Sequence, residues 1–450
     1  MAFTPQQAIL ELGDGFSDPV HPARFPQTIL RFRNDLAAAQ VGLDGLSDAE
    51  WIAHFGRFEP LPGSLPQPLA LRYHGHQFRV YNPEIGDGRG FLFAQMTDDR
   101  GRLMDLGTKG SGQTPYSRFG DGRLTLKGGV REILATEMLE ALGVETSRTF
   151  SLIETGEELH RGDEPSPTRS AVMVRLNHGH IRIGTFQRLA HFQDTERLAV
   201  LTDYVLRHYY GETPGEDAPA RLLSLVAGRT ARLAGQFMAA GFVHGVLNSD
   251  NINVSGESFD YGPWRFAPTW DPRFTAAYFD QSGLYAFGRQ PEAIYWDVMQ
   301  FASSLRLIAE EEPLVAALGG FADAFRAEMA SAMLWRLGLV PFGDARDAAL
   351  VQAVEQVLAT TGAPLDRFYF DAFGGALPAR YGEPFAALRD QLASFAPRKP
   401  RDHPYWSDAE PCAMLIDEVE AIWAPIAAED DWSLLERKVA AIRRMGAALA

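Results

Sequence analysis

The hydrophobic pattern between residues 69 and 185 predicts strands arranged around one helix. Two apolar runs on either side of a turn at 98–101 are typical of a hairpin. Apolar residues at helical spacing predict a helix over 130–142, which Gly143 ends. The predicted strands are 91–96, 103–106, 148–154 and 171–176.

Beyond about residue 186 the hydrophobic period becomes that of helices along almost the whole chain. Asp194 is a typical N-cap residue for the first of these helices. A β-rich part followed by an α-rich part predicts an α+β fold with two lobes in the order that protein kinases have them. The predicted helices are 194–210, 218–240, 291–311, 318–337, 345–361, 382–395, 412–424 and 432–448.

Two flanking parts are predicted to extend these lobes. The segment before residue 69 favours short helices, one of them started by a capping box between Ser47 and Glu50. A basic stretch with prolines at 396–401 is typical of a linker. The predicted division is 1–68 as an N-terminal helical extension, 69–185 as the N-lobe, 186–395 as the C-lobe with its catalytic loop at 244–262, and 396–450 as a C-terminal helical extension.

Composition narrows the class of protein. A hydrophobic fraction of 46% with 22% charged residues is ordinary for a globular protein with a sizeable core. The formal net charge of −16 argues against a nucleic-acid partner. The single cysteine, Cys412, excludes an internal disulfide bond and a structural zinc cluster. The chain has no apolar run of about 18 residues for a membrane helix and no secretory signal, so we expect a cytoplasmic protein without a membrane partner.

Residues 242–263 contain two carboxylates and an amide at a spacing suited to holding a metal ion on a nucleotide. The pattern predicts a hairpin here, with its first short strand at 252–254. Asp250 and Asn251 precede this hairpin and Asp260 follows it, so we expect the three side chains to converge. Carboxylate and amide oxygens are ligands that Mg²⁺ prefers. Each residue alone is also a common turn former, but their joint spacing favours the metal site.

The same segment resembles the catalytic loop and the D-F-G triplet of protein kinases. His244, Asn251 and Asp260 match the histidine, the metal-binding asparagine and the aspartate of that pattern. Val246 stands where kinases have the catalytic aspartate, and its side chain cannot accept a proton. Asp250 is the only nearby carboxylate that could replace it. The sequence therefore predicts a kinase-like nucleotide site that lacks the standard base.

The first lobe contains candidates for binding phosphate. Gly86, Gly88 and Arg89 belong to a glycine-rich stretch whose N–H groups can approach phosphate, although such a stretch before a strand is commonly a hairpin turn. Lys109 follows a predicted strand among glycines, where a lone lysine is usually a solvated charge. Glu132 on the predicted helix is either solvated or the partner of Lys109, as in the Lys–Glu pair of kinases.

Two further pairs complete the set of candidates. Asp121 and Gly122 repeat the Asp-Gly-Arg sequence of 87–89, and a simple turn is the alternative interpretation. Arg175 and Arg182 are seven residues apart and could clamp a polyphosphate, although arginines at strand ends are mostly in surface ion pairs.

Longer motifs match a known family in order along the chain. Through them the chain resembles the selenoprotein O family, whose members are kinase-fold proteins with protein adenylyltransferase activity. The matching segments are Y-H-G-H-Q-F (73–78), Y-N-P-E-I-G-D-G-R-G (81–90), K-G-S-G-Q-T-P-Y-S-R-F-G-D-G-R (109–123), R-E-I-L-A-T-E (131–137), H-I-R-I-G-T-F (180–186), H-G-V-L-N-S-D-N-I (244–252) and F-D-Y-G-P (259–263).

The resemblance implies that ATP binds in a flipped orientation, so that AMP is transferred to a protein hydroxyl and pyrophosphate is released. It implies that Asp250 is the base and that Glu132 orients Lys109. It also implies that Asn251 and Asp260 bind Mg²⁺ or Mn²⁺. The ATP-binding residues that it implies are Gly86, Gly88, Arg89, Lys109, Asp121, Gly122, Arg175, Arg182 and Asp260.

The partners implied by the resemblance are proteins that carry Ser, Thr or Tyr hydroxyls, and self-modification is one form of this activity. The residues leave three alternatives open. These are transfer of UMP from UTP, a true protein kinase with Asp250 as a displaced base, and an inactive nucleotide-binding scaffold.

The chain departs from the family pattern at several positions. Arg79 stands where the family has glycine, and Gly128-Gly129 replaces a usual serine pair. Pro263-Trp264-Arg265 differs from the common continuation of the last motif. Many relatives carry a redox-active cysteine or selenocysteine near the C-terminus, but residues 440–450 contain none, so we do not expect redox control there.

Overall fold

A part rich in strands precedes a part rich in helices, as the hydrophobic pattern predicts. The computed structural model describes residues 1–162 and 164–450. Short strands occur already before residue 69, in addition to the helices expected there. The strands are β1 (Pro5–Gln6), β2 (Ser17–Pro19), β3 (Ile29–Arg33), β4 (Leu69–Leu71), β5 (Gly75–Gln77), β6 (Val80–Asn82), β7 (Leu92–Thr97), β8 (Leu103–Lys109), β9 (Leu124–Thr125), β10 (Arg148–Leu159), β11 (Thr168–Asn177), β12 (Phe242–Val243) and β13 (Arg265–Phe266).

Helices make up most of the chain after residue 182. The predicted caps are present, because the side chain of Asp194 accepts a hydrogen bond from the N–H of Arg197, and Ser47 and Glu50 form a reciprocal capping box. The helices are α1 (Asp35–Gln40), α2 (Asp48–Phe55), α3 (Leu126–Ala141), α4 (Ile183–His191), α5 (Thr195–Tyr210), α6 (Ala218–Ala240), α7 (Gln290–Leu305), α8 (Glu311–Gly319), α9 (Phe321–Arg336), α10 (Ala345–Thr361), α11 (Leu365–Ala372), α12 (Ala386–Ala393), α13 (Ile416–Glu429) and α14 (Ser433–Leu449).

The large sheet is antiparallel and runs in the order β2–β4–β7–β8–β11–β10–β3, with β1 paired to β7 and β9 paired to β11. Strands β7 and β8 form the predicted hairpin. In the β8–β11 pair, Lys109 lies opposite Met173 and Arg175 lies opposite Gly107. Because side chains alternate between the two faces of a strand, Lys109 and Arg175 belong to the same face of the sheet.

Helix α3 packs against β10 and β11 and brings Glu132 to Lys109. Gly129 allows this close approach, because a Cβ at that position would lie 2.3 Å from Cδ1 of Leu152 on β10. The glycine that replaces a serine of the family pattern therefore has a packing role in this chain.

Helix α6 is the centre of the second lobe, and α5, α7, α8 and α9 pack around it. It ends at Ala240 because Gly241 adopts a φ of 69°, a conformation that glycine accommodates without strain. The chain therefore enters the segment 242–263 directly from a buried helix. Although α6 has 23 residues, neither it nor any other helix of the described ranges is long and apolar enough to cross a membrane.

The predicted α+β fold class, with a β-rich N-lobe and a helical C-lobe, is confirmed. The predicted domain boundaries stay predictions, and the large sheet crosses the first of them because β1, β2 and β3 pair with later strands. The single helix predicted over 291–311 is wrong. The predicted helix is too long: α7 ends at Leu305, and the backbone of Glu310, just before α8 begins, is extended, with φ −68° and ψ 155°. Helices α4, α8 and α11 were not predicted.

The last helix supports α3. Arg443 on α14 forms an ion pair with Glu137 on α3, with Nη2 at 2.6 Å from Oε1, and Glu137 is buried. Gly446 lies against Ala141 of the same helix, where an added Cβ would be 3.2 Å from Cβ of Ala141. The end of the chain thus fixes the helix that carries Glu132.

Replacing Arg443 by Ala is expected to lower the free energy of unfolding by about 1–3 kcal/mol, because the buried carboxylate of Glu137 loses its charged partner. Urea denaturation measures this change. Arg437→Ala is the matched control on the same helix, where the side chain is exposed, and should change stability by less than about 0.5 kcal/mol. Equal losses in the two variants would contradict this role of the ion pair.

Candidate active site

A cavity of about 610 Å³ lies where β8 and β11 meet the segment 242–263. It brings together residues from distant parts of the sequence. Glu132 and Asn251 do not line it. The predicted site residues that line it are Gly86, Gly88, Arg89, Lys109, Asp121, Gly122, Arg175, Arg182, Asp250 and Asp260.

Lys109 is buried at the end of β8 and contacts two carboxylates. Its Nζ donates a hydrogen bond to Oε1 of Glu132 and lies 2.8 Å from Oδ1 of Asp260. Lys109 is 5% exposed and Glu132 is 1% exposed, so the interpretation of both as solvated surface charges is wrong. The pairing expected from the kinase pattern is present, and its role in binding ATP stays a prediction.

Asp260 is held as an anion. Its φ of 62° lies in the left-handed region, which aspartate enters more readily than most residues. Burial alone would raise the pKa of its carboxyl, but Lys109, Arg175 and Arg89 together hold that pKa well below its usual value. The carboxylate is therefore available as an oxygen ligand over the whole physiological pH range.

Asp250 has the opposite electrostatic environment. It lies on a short 3-10 helix (Ser249–Asn251), is 7% exposed, and packs so closely on Gly75 that a Cβ there would be 2.8 Å from Cβ of Asp250. Burial raises the pKa of the Asp250 carboxyl to about 6, although the charge of Arg182 opposes that shift. Within the described part of the chain its Oδ1 has no hydrogen-bond partner. A buried carboxyl with a free oxygen and a pKa near neutrality can accept a proton.

Two arginines form a buried cationic wall of the cavity. Arg175 and Arg182 are 5% and 3% exposed. No acceptor among the described residues bonds Nε of Arg182, or Nε and Nη1 of Arg175. Nη1 of Arg175 lies 3.5 Å from Asp260 as an ion pair, but the two do not form a hydrogen bond. Unpaired buried donors are costly, so this wall is suited to receiving an anion.

Three residues that the sequence did not single out fix Arg182. Its guanidinium donates to Oδ1 of Asp87 at 3.2 Å and lies 4.2 Å and 4.8 Å from the ring centres of Tyr73 and Phe259. It also donates to the backbone carbonyl of Asp250 at 3.0 Å. The only sequence signal for these neighbours is that each of them lies within a motif shared with the family.

The prediction of a hairpin whose first strand is 252–254 is wrong. This backbone instead forms two hydrogen bonds of 3.0 Å with 181–183, and the N–H of Ser258 donates to the carbonyl of Glu145 at 2.9 Å. Asn251 is half-buried, and its side-chain N–H group donates to the carbonyl of Val246 at 3.0 Å. The backbone at 252–258 is therefore tied to the N-lobe, which positions Asp250 and Asp260 against the sheet.

The glycine-rich stretch is a connection between β6 and β7, which pair with other strands, so the hairpin-turn alternative is wrong. Gly86 is required by packing, because a Cβ there would lie 2.5 Å from the ring of Tyr116. At the cavity mouth Asp121 is paired with Arg161 at 2.8 Å. The arginine of the second Asp-Gly-Arg sequence, Arg123, pairs with Glu157 at 2.8 Å.

The chain is similar in sequence to one family of proteins along most of its length. The family described as "Protein adenylyltransferase SelO" matches residues 1–374. A protein nucleotidyltransferase YdiU of Synechococcus elongatus is 44% identical over 96% of this chain and 93% of that protein. Its counterparts in Trichormus variabilis and Vibrio cholerae are 51% and 36% identical, over 74% and 73% of this chain and 68% and 66% of those proteins.

Among solved structures, ROP2 from Toxoplasma gondii is described as a virulence factor with a protein-kinase fold and no enzymatic activity. It is 9% identical to this chain and has a TM-score of 0.30, covering 68% of this chain and 93% of that one. A similarity this low carries no argument about the fold or the activity of this chain.

The departures from the family pattern have local structural consequences. Arg79 adopts a φ of 63°, which explains why glycine suits this position, and its Nη2 lies 3.2 Å from Oε1 of Glu292. Burial raises the pKa of the Cys412 thiol, which disfavours the reactive thiolate.

Replacing Asp250 by Asn is expected to raise the free energy of unfolding near neutral pH by up to about 3 kcal/mol, because the pKa of this carboxyl is raised to about 6. The folded protein keeps this proton to higher pH than the unfolded chain, so the charged form destabilises the fold above about pH 6. The gain should vanish below the ordinary pKa of 3.8, and urea denaturation at several pH values measures it.

Asp260→Asn is the matched control, for which the expected change in the free energy of unfolding has the opposite sign. The pKa of Asp260 is lowered in the folded protein, so its charge stabilises the fold and its removal should lower stability near neutral pH. If both variants lose stability at neutral pH, the electrostatic description of Asp250 is wrong.

Proposed function

The chain belongs to the SelO family of protein adenylyltransferases, and from that premise we propose how its cavity transfers AMP from ATP to Ser, Thr or Tyr hydroxyls of proteins. It is a protein nucleotidyltransferase, as its family and its relatives are described. The nucleotide orientation, the metal site and the roles of single residues are the content of the proposal.

One observation carries this proposal: the buried guanidinium nitrogens of Arg175 and Arg182 without acceptors in the described chain. Phosphate oxygens are the acceptors that arginine binds best, through charge-assisted hydrogen bonds. Lys109 lies on the same face of the sheet as Arg175 and adds a third positive charge. Three buried cations beside one another suit a polyphosphate chain.

The orientation of ATP in the proposal follows from the location of these charges. A purine ring favours an apolar slot, and the arginine wall of this cavity offers charged groups instead. We infer that the β and γ phosphates lie against Arg175 and Arg182. The α-phosphate then faces Asp250, whose backbone carbonyl is bonded to Arg182.

The oxygen groups beside the cavity fit a hard divalent cation. Asp260 is an anion, and Asn251 uses its amide N–H to bond Val246, which leaves its side-chain carbonyl oxygen available as a ligand. We propose that these two residues hold Mg²⁺ or Mn²⁺. When bound, such an ion would neutralise negative charge on the phosphates.

In the proposed step, the carboxylate of Asp250 accepts the proton of the acceptor hydroxyl. The hydroxyl oxygen forms a bond to the α-phosphorus, and the bond from that phosphorus to the bridging oxygen breaks. The electron pair leaves with pyrophosphate, whose charge is balanced by Arg175, Arg182 and Lys109. Glu132 contributes by orienting Lys109 through their hydrogen bond. The products are the AMP-modified protein and pyrophosphate.

Transfer from ATP labelled separately on the α and γ phosphates tests the proposal. We expect only the α label to reach protein, and mass spectrometry of the product should show an added adenylyl group. Asp250→Ala should lower the rate by about 100-fold or more with ATP affinity largely kept, because it removes only the base. Asp260→Ala should instead weaken binding of the nucleotide with its metal.

Each other outcome assigns a different function. Transfer of the γ label would make the protein a kinase with a displaced base. ATP binding without any transfer, in Mg²⁺ and in Mn²⁺, would make it an inactive scaffold. A higher kcat/KM with labelled UTP than with ATP would make it a uridylyltransferase.

The rate of transfer should depend on the protonation of Asp250. Because the carboxylate is the active form and its pKa is about 6, the rate should be constant above about pH 7 and fall about tenfold per unit below pH 6. A kcat/KM profile against pH at saturating metal measures this. A rate that stays constant down to pH 4.5 would exclude a base with this pKa.

A further inference from the structure

Phe119 lies at the rim of the cavity and is the most exposed of the large hydrophobic side chains in the described part of the chain, at 107% relative exposure. Single exposed apolar residues are common on protein surfaces. This ring, however, belongs to the lining of a cavity whose other walls carry charges for a nucleotide. Its exposure therefore leaves an aromatic face available to a ligand.

Two other aromatic rings line the cavity, and both are packed against other residues of the protein. Tyr73 is 8% exposed and lies 4.2 Å from the guanidinium of Arg182. Tyr116 packs on Gly86, and its hydroxyl donates a hydrogen bond to Asp18. Among the described residues, Phe119 is the aromatic ring of this lining that remains free to stack.

The backbone holds Phe119 in a fixed turn. The N–H of Gly120 donates to the carbonyl of Ser117 at 2.7 Å, which places Phe119 at the tip of a tight turn. Arg118, just before it, adopts the left-handed φ of 52°. The hydroxyl of Ser117 also donates to the carbonyl of Gly88, so the turn is tied to the glycine-rich stretch. The ring is thus presented by a bonded loop.

The distribution of charge separates the cavity into two parts. The side chains of Lys109, Arg175 and Arg182 are at most 6% exposed and form its buried part, whereas Arg118 and Phe119 are exposed at its rim. A nucleotide whose phosphates lie against the buried cations extends its base toward the rim.

We propose that Phe119 stacks on the nucleobase of ATP and favours purine over pyrimidine nucleotides. This inference rests on the proposed function, because the orientation of ATP brings the base to the rim. Stacking is favoured for a purine because its ring system offers a larger face than that of uracil. Phe119 would therefore contribute to the choice between ATP and UTP.

Calorimetric titration of the full chain with ATP and with inorganic tripolyphosphate, both in Mg²⁺, tests the inference. Phe119→Ala and Phe119→Leu should weaken ATP binding about five- to a hundredfold and change tripolyphosphate binding by less than about twofold, because only ATP carries a base. Phe119→Trp should keep ATP binding. The leucine variant retains apolar bulk without an aromatic face.

Tyr278→Ala is the matched control, because Tyr278 is 84% exposed and does not line the cavity. It should leave the binding of both ligands unchanged. Equal losses for ATP and tripolyphosphate in Phe119→Ala would mean that the ring only holds the loop. Unchanged ATP binding would also overturn the inference, as would an effect confined to the KM of the protein acceptor.

The two proposals fail in different measurements. The unsubstituted chain would transfer no AMP if the proposed function were wrong, whatever the Phe119 variants bind. If the unsubstituted chain transfers AMP but Phe119→Ala and Phe119→Leu bind ATP as it does, only the stacking role of Phe119 is wrong.

Discussion

Buried guanidinium nitrogens without an acceptor are the constraint on which the rest of this site depends. Each N–H that leaves water without a partner costs about 1–3 kcal/mol, so Arg175 and Arg182 are stable in this state only because the surrounding fold holds them. Arg175 is fixed by the β8–β11 register, and Arg182 is held by Asp87 and two aromatic rings. A bound anion would accept hydrogen bonds from these N–H groups and so offset the free-energy cost of burying them unpaired.

Two nearby carboxyls of this site have opposite pKa shifts, because cations dominate at Asp260 and burial dominates at Asp250. Asp260 faces Lys109 and Arg175, and its pKa is held low. Asp250 is buried with one free oxygen, and its pKa is raised to about 6. Pairs of carboxyls whose environments separate their pKa values in this way commonly divide the roles of base and charged ligand. In the proposed mechanism, this division lets Asp250 serve as the base that Val246 cannot supply.

Among contacts between residues far apart in the sequence, those that were predicted came from motifs. The Lys109–Glu132 contact followed from the kinase pattern, since no periodicity relates a strand residue to a residue on a later helix. The hairpin in 242–263 was predicted from turn residues, but the backbone at 252–258 bonds to 181–183 and Glu145 of the N-lobe. Helix α4 was not predicted, because it contains Gly184 and glycine is a weak helix former. Packing requires this glycine, since a Cβ there would lie 2.1 Å from the carbonyl oxygen of His74. Such packing is not contained in a periodic pattern.

In the proposed orientation, the innermost phosphate of ATP lies beside Asp250 and the terminal phosphates lie against Arg175 and Arg182. A crystal structure of the chain with a non-hydrolysable ATP analogue and Mn²⁺ measures this directly. We expect the α-phosphorus to be the phosphorus nearest to the Asp250 carboxylate, with β and γ oxygens bonded to Arg175 and Arg182. A γ-phosphate nearest to Asp250, with the base packed against the two arginines, would contradict it.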